Sequence, residues 1–313
     1  MLSQLKIHFR LSTFALGLIV VAGCETAPPK KSPPSPSNSS TNNFGELILA
    51  QFVSAPFPHP ARAQGHTYKT NFFPAGKNYL DNTVAIFIPK NFEPGAKIDF
   101  VVHFHGWGNN VTNALRKYEL PQQLVESGKN AILVVPQGPR DASDSFGGKL
   151  ENENGFKNFM DEVLATLRQK KPFRKSDLGK IILSGHSGGY QVISSILEKG
   201  QLTKNVKEVW LFDGLYARTE KFQNWFENSD GRFINIYTAN GGTKIKTESL
   251  MADLKMKESS YFWSEEKNVG LQQLRKNRLI FIFTELPHND VLHKHKTFLQ
   301  FLQTSFLSDI ARN

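Results

Sequence analysis

The chain has 313 residues, 39% of them hydrophobic and 25 of them Phe, enough for a sizeable core, so a wholly disordered chain is excluded. A single Cys excludes a disulfide framework and any cysteine-rich zinc module. The formal charge of +10 permits adhesion to phospholipid, cell-wall polymer or nucleic acid, but no basic run of five or more residues or nucleic-acid motif points to the last.

Residues 1–24 read as an export signal. Lys6 and Arg10 supply the positive start, and residues 11–23 form an apolar stretch too short to span a bilayer. The stretch ends in Val21, Ala22, Gly23 and Cys24, the only cysteine of the chain. This string resembles the lipobox of bacterial lipoproteins. The resemblance implies cleavage before Cys24, a diacylglyceryl group on its sulfur and acylation of the new amine. Asp after the cysteine would imply retention in the inner membrane, so Glu25 implies delivery to the outer membrane. Two or three acyl chains anchor stably where one is marginal. Residues 25–43 are mostly Pro, Ser, Thr and Asn, so a semi-extended tether is expected, with a reach of at most about 60 Å at roughly 3 Å per residue. The expected division is a signal peptide over 1–23, lipidated Cys24 and its tether over 24–43, and one catalytic domain over 44–313.

From residue 44 onward, turn signals alternate with apolar runs. Strands are predicted at 83–89, 97–105, 131–136, 180–184, 206–212, 232–237 and 278–284, apolar on both faces. Helical spacing is predicted at 113–127, kinked or split at Pro121, and at 155–170, 187–202, 219–228, 247–256 and 291–307. The segment 44–89 lacks a long helix and is expected to open the sheet with antiparallel strands. The fold class is therefore α/β, a mostly parallel central sheet flanked by helices.

Gly185, His186, Ser187, Gly188 and Gly189 fall between the predicted strand 180–184 and a helical pattern. Strand, tight turn and helix form the context of a nucleophile elbow. Small neighbours let strand and helix approach, and the helix N-terminus behind the serine favours negative charge. Here the sequence resembles the α/β-hydrolase family over residues 65–313. The resemblance implies an acyl-transferring triad in the chain order serine, acid, histidine, with Ser187 as nucleophile.

The base is expected just beyond the last strand, where His288 follows Leu286 and Pro287. His293 and His295 fall within the predicted last helix and read as surface residues. The acid must hold the imidazole tautomer and stabilise its cation. Asp213 ends the strand 206–212. The commoner family position lies one strand later, but residues 238–244 hold no carboxylate before Glu248, which favours Asp213. The oxyanion hole needs backbone amides. One is that of Gly188. The other is expected from the loop of His105, Gly106, Trp107 and Gly108, which looks like the His-Gly loop of esterases and lipases, through the amide of Gly106 or Trp107. His103 and His105 share a strand face without a nearby carboxylate or Cys, so no metal is expected. The loop 137–149 is placed to line the pocket, with Arg140 able to meet an anionic substrate and Phe146, Trp107 and Tyr216 as candidate walls. Tyr190 is expected to pack under the elbow.

The leading expectation is a lipid-anchored serine hydrolase of the bacterial cell envelope that cleaves a small-molecule or polymeric carboxylic ester without a cofactor. The His105 and Gln137 loops also resemble those of polyester depolymerases and feruloyl esterases. A serine peptidase or amidase acting on cell-wall peptides is the closest rival. A non-catalytic anchored binding protein on a hydrolase fold is a third reading, against which the complete set of Ser187, Asp213 and His288 argues.

Overall fold

The structure, a computed structural model, describes residues 38–311. The string ending at Cys24 and most of the expected tether lie outside the described residues. Twelve strands are seen among them. β1 (Asn38–Asn42), β2 (Gly45–Gln51), β5 (Thr83–Pro89), β6 (Lys97–Phe104), β7 (Ala131–Pro136), β8 (Asp177–His186), β9 (Val206–Phe212), β10 (Arg232–Thr238), β11 (Phe262–Glu265) and β12 (Leu279–Thr284) form one sheet, and β3 (His66–Tyr68) and β4 (Asn71–Phe73) form a separate hairpin. The order across the large sheet is β1-β2-β5-β7-β6-β8-β9-β10-β12-β11. β1, β2 and β5 are antiparallel to their neighbours, and every pairing from β7 to β11 is parallel.

Alternating residues of the strands feed two cores. Phe100, Val102, Ile181, Leu183, Val209 and Leu211 face one side, against α4 (Gly155–Arg168), α5 (Tyr190–Lys199), α6 (Thr219–Glu227) and α7 (Lys244–Met256). Val101, Leu133, Ile182, Trp210, Ile234 and Ile280 face the other, against α2 (Val111–Lys117), α3 (Leu120–Ser127), α8 (Leu271–Lys276) and α9 (Thr297–Gln303). A one-turn helix, α1 (Ala75–Asn78), follows the hairpin. Because β6, β7, β8, β9, β10 and β12 run the same way, the residues that follow them gather at one sheet edge, where ligands bind in open α/β folds.

The predicted helix 113–127 is split into two helices, as expected, with the break lying just before Pro121. Glu119 takes the left-handed φ of 50° between them, and Pro121 stands in the first turn of α3, where its missing N–H costs little. Several elements differ from expectation. The predicted helix 291–307 shrinks to Thr297–Gln303: Asp290 to Lys296 make turns, closed by bonds such as His293 N–H to Asp290 O, and Lys296 has a φ of 53°. The apolar spacing there reflects a buried turn as well as a helix. β11 was not expected, since four mixed residues carry no pattern, yet it extends the parallel edge beside β12. At the start, Asn38–Asn42 pairs with β2 as the edge strand, so the end of the stretch read as tether belongs to the sheet. Among the described residues, no helix is long and apolar enough to cross a membrane.

Candidate active site

Ser187 stands where β8 ends and a single 3₁₀ turn, Ser187–Gly189, leads into α5. Its φ is 52°, a region costly for a residue with a Cβ and often found at functional turns. Three glycines let the turn form. A Cβ on Gly185 would meet Ile193 at 2.7 Å, and one on Gly189 would meet the Phe104 carbonyl oxygen at 2.5 Å. A Cβ on Gly106 would stand 2.6 Å from the Ser187 Cβ, so only glycine lets the loop after β6 lie directly on the nucleophile turn.

Asp213 follows β9 with a φ of 46° and is fully buried. His288 follows β12, and its Nδ1 lies 2.6 Å from Asp213 Oδ2. Donation of that proton to the carboxylate assigns the tautomer that leaves Nε2 as a base. Three further bonds hold the carboxylate: the Thr238 hydroxyl at 2.8 Å, the Thr238 N–H at 3.2 Å and the Thr243 hydroxyl. Burial pushes the Asp213 carboxyl up, but its bonds to His288, Thr243 and Thr238 outweigh this and hold it below the usual aspartate value. The loop after β10 has no carboxylate of its own; it wraps the one on β9. A Cβ on Gly241 would fall 1.8 Å from Asp213 Oδ2, so the wrap requires glycine there.

His186 ties the nucleophile turn to the base loop. Its Nε2–H donates to the His288 carbonyl at 3.0 Å, its Nδ1 faces the Tyr118 hydroxyl at 3.3 Å, and its ring lies 4.7 Å from that of His288. Tyr216 links the same parts from the other side. Its hydroxyl donates to the Gly241 carbonyl at 2.7 Å, and its ring lies 6.5 Å from that of His288. Burial, and next the Asp213 charge, push its phenol up to about 12, so it stays protonated.

The loop after β6 is set by His105. Its Nδ1–H donates to the Gly106 carbonyl at 2.9 Å, while its Nε2 accepts from the Gly138 N–H and faces the Gln137 amide nitrogen, each at 3.0 Å. In a trans peptide, N–H and C=O point oppositely. The captured Gly106 carbonyl therefore turns the Trp107 N–H to the other side, where it has no acceptor among the described residues. Both nitrogens of His105 are thus engaged, and His103 Nδ1 bonds the Ser184 hydroxyl at 2.9 Å.

The structure brings Ser187, Asp213, His288, Gly188, Gly106 and Trp107 to one edge. Tyr190 and Tyr216 stand ring to ring at 5.8 Å beside them. Arg140 is paired with Asp81 at 2.6 Å. His295, exposed as expected, lies 3.2 Å from Glu266, but His293 is half-buried with its ring 5.9 Å from that of Tyr118. Neither lies in a helix. Sequence reasoning missed Thr238 and Thr243, whose hydroxyls reach Asp213 only through the fold.

The three buried imidazoles set a pH response. Burial holds His103 and His105 below the ordinary 6.5, and burial with the neighbouring His288 brings His186 down to about 3. Below pH 6.5 the unfolded chain takes up protons that the folded chain refuses, so stability falls as pH falls. Each ring contributes at most about 1.4 kcal/mol per pH unit. We expect the denaturation midpoint to drop steadily from pH 6.5 to 5, before most carboxylates titrate. A midpoint that is flat or rising across that interval contradicts this account.

Of the solved structures similar to this chain, a mutant of the feruloyl esterase module from Clostridium thermocellum, complexed with sinapinate, aligns over 91% of this chain and 100% of its own, with a TM-score of 0.51 and 10% identity. Acetyl xylan esterase from Aspergillus awamori aligns over 71% and 94%, with a TM-score of 0.49 and 12% identity. An S-formylglutathione hydrolase from Agrobacterium tumefaciens aligns over 84% and 97%, with a TM-score of 0.46 and 11% identity. No family model and no curated protein matches the sequence. The sheet order, the helices on both faces and the first of these likenesses agree that the chain has the α/β-hydrolase fold.

Proposed function

We propose that this protein is a serine hydrolase of carboxylic esters, with Ser187 as nucleophile, His288 as general base and acid, and Asp213 as the group that orients His288. The observation that carries the reading is the 2.6 Å bond between His288 Nδ1 and the buried Asp213 carboxylate, next to a serine in a left-handed turn. The Ser187 hydroxyl is the attacking group. For attack it turns to His288 Nε2, which takes its proton as Oγ bonds to the acyl carbon. The carbonyl oxygen becomes an oxyanion facing the amides of Gly188 and Trp107, with Gly106 supplying the close-packed bend. Protonated His288 then gives its proton to the departing alcohol. Water repeats the sequence on the acyl-enzyme, returning the acid and free Ser187.

The likeness in fold to a feruloyl esterase module supports an ester rather than an amide leaving group. Attachment to the outer membrane of a bacterial envelope through acylated Cys24 belongs to the same proposal and rests on the string from Val21 to Cys24. The test uses the soluble domain, a fluorophosphonate probe, chromogenic esters of graded chain length and aminoacyl amides. Labelling at Ser187 with ester turnover supports the reading. Labelling with turnover of amides alone moves it to a peptidase or amidase, and no labelling at all returns it to a binding protein.

A further inference from the structure

Trp107 is 42% exposed, yet its ring is fixed. Its indole N–H donates to Ser145 Oγ at 2.7 Å, and its ring stands edge-on to Tyr68 at 4.8 Å. Ser145 belongs to the loop after β7 and lies against the nucleophile turn. A Cβ on Gly188 would meet Ser145 Oγ at 2.6 Å and Trp107 Cδ1 at 2.7 Å. Ser145 and Gly188 also line a shared cavity of about 20 Å³ with Phe104, His105 and Phe146, room for about one water.

An indole nitrogen donates and never accepts, so Ser145 Oγ is the acceptor in its bond with Trp107. The one hydroxyl proton of Ser145 must go elsewhere, and no group among the described residues takes it. Accepting one hydrogen bond polarises a hydroxyl and strengthens its own donation. The result is an oriented, unspent donor beside the amide that follows the nucleophile.

We propose that Ser145 is a catalytic residue, a side-chain donor to the oxyanion that joins the amides of Gly188 and Trp107, with Trp107 orienting its hydroxyl. The inference rests on the serine-hydrolase reading and adds to it a hydroxyl from a loop outside the nucleophile turn and the loop of His105. Its donation strengthens as charge builds on the carbonyl oxygen, so its effect belongs to the transition state rather than to substrate binding.

The experiment compares the parent protein, Ser145→Ala, Trp107→Phe and the double variant by ester kinetics and by the rate of fluorophosphonate labelling. Loss of one such donor costs on the order of 10²-fold in turnover. For Ser145→Ala we expect kcat and kcat/KM to fall together by about that factor, KM to stay within twofold, and labelling to slow in parallel. Trp107→Phe keeps the backbone amide and an aromatic ring but removes the orienting N–H. Its loss should be smaller and should largely vanish in the Ser145→Ala background, since both act through one hydroxyl. A Ser145→Ala protein that turns over and labels within threefold of the parent overturns the proposal. So does a loss confined to KM, or full additivity in the double variant. A parent that neither labels at Ser187 nor hydrolyses any ester overturns the serine-hydrolase reading itself, an outcome distinct from the others.

Discussion

Ser187→Ala is expected to fold as the parent does, to take no fluorophosphonate label and to lose turnover on the order of 10⁶-fold, leaving only what binding and the oxyanion donors supply. The size of the effect follows from the chemistry. Without Oγ there is no covalent intermediate, and His288 can at best activate a water directly. Folding should be spared because the turn is shaped by backbone and by Gly106, Gly185 and Gly189. Alanine meets the same backbone cost at a φ of 52° as serine does. Circular dichroism with active-site titration checks both halves. Undiminished ester hydrolysis in a clean preparation of the variant would show that another residue is the nucleophile.

What the sequence disclosed follows from how each residue acts. The nucleophile turn was legible because it needs glycines at fixed spacing between an apolar run and a helical pattern, and that need is local. The Gly106 loop was legible for the same reason, and the contact of Gly106 with the Ser187 Cβ gives its physical cause. Asp213 was reached by elimination, because the loop after the next strand offers no carboxylate. Why that loop lacks one could not be seen: Thr238, Gly241 and Thr243 are spaced to enclose an acid from another strand, a relation that exists only once β9 and β10 are paired. Ser145 lay in a long polar loop where nothing local separated it from Ser143. Only the indole of Trp107, 38 residues earlier in the chain, singles it out. Arg140 shows the converse. A charged residue in a loop at the sheet edge reads as open to a substrate, and its pairing with Asp81, 59 residues away, exists only in the fold. The two outermost strands, β1 and β11, escaped notice because each pairs with one neighbour only and carries mixed, partly exposed residues with no periodic signal.

The acid is where sequence and structure must be tested together, since Asp213 stands one strand earlier than the common position. Asp213→Asn keeps the size and shape of the side chain. It replaces a charged acceptor of the His288 proton with an amide, whose NH₂ favours the opposite imidazole tautomer and whose neutral oxygen no longer stabilises the imidazolium. In another fold with the same constellation this substitution costs about 10⁴-fold in turnover, and a loss of that order is expected here. The loss should lie in kcat, with Ser187 still in place and the protein folded, because the Thr238 and Thr243 hydroxyls can reorient to serve an amide. The competing carboxylates are placed differently. Glu248 lies on the exposed face of α7, 3.8 Å from Lys244, and Asp290 begins the turns that precede α9. The His288 Nδ1 proton goes to Asp213 and neither of these carboxylates bonds His288, so Glu248→Gln and Asp290→Asn are expected to stay within about threefold of the parent. The pH behaviour gives an independent check. The folded Asp213 carboxyl lies below its unfolded value of 3.8, so its contribution to stability is complete above pH 3.8 and is lost as pH falls through the lower folded value. Asp213→Asn should remove that acid-side loss along with the activity. If Glu248→Gln or Asp290→Asn is crippled while Asp213→Asn stays within threefold of the parent, the orienting carboxylate is not on β9.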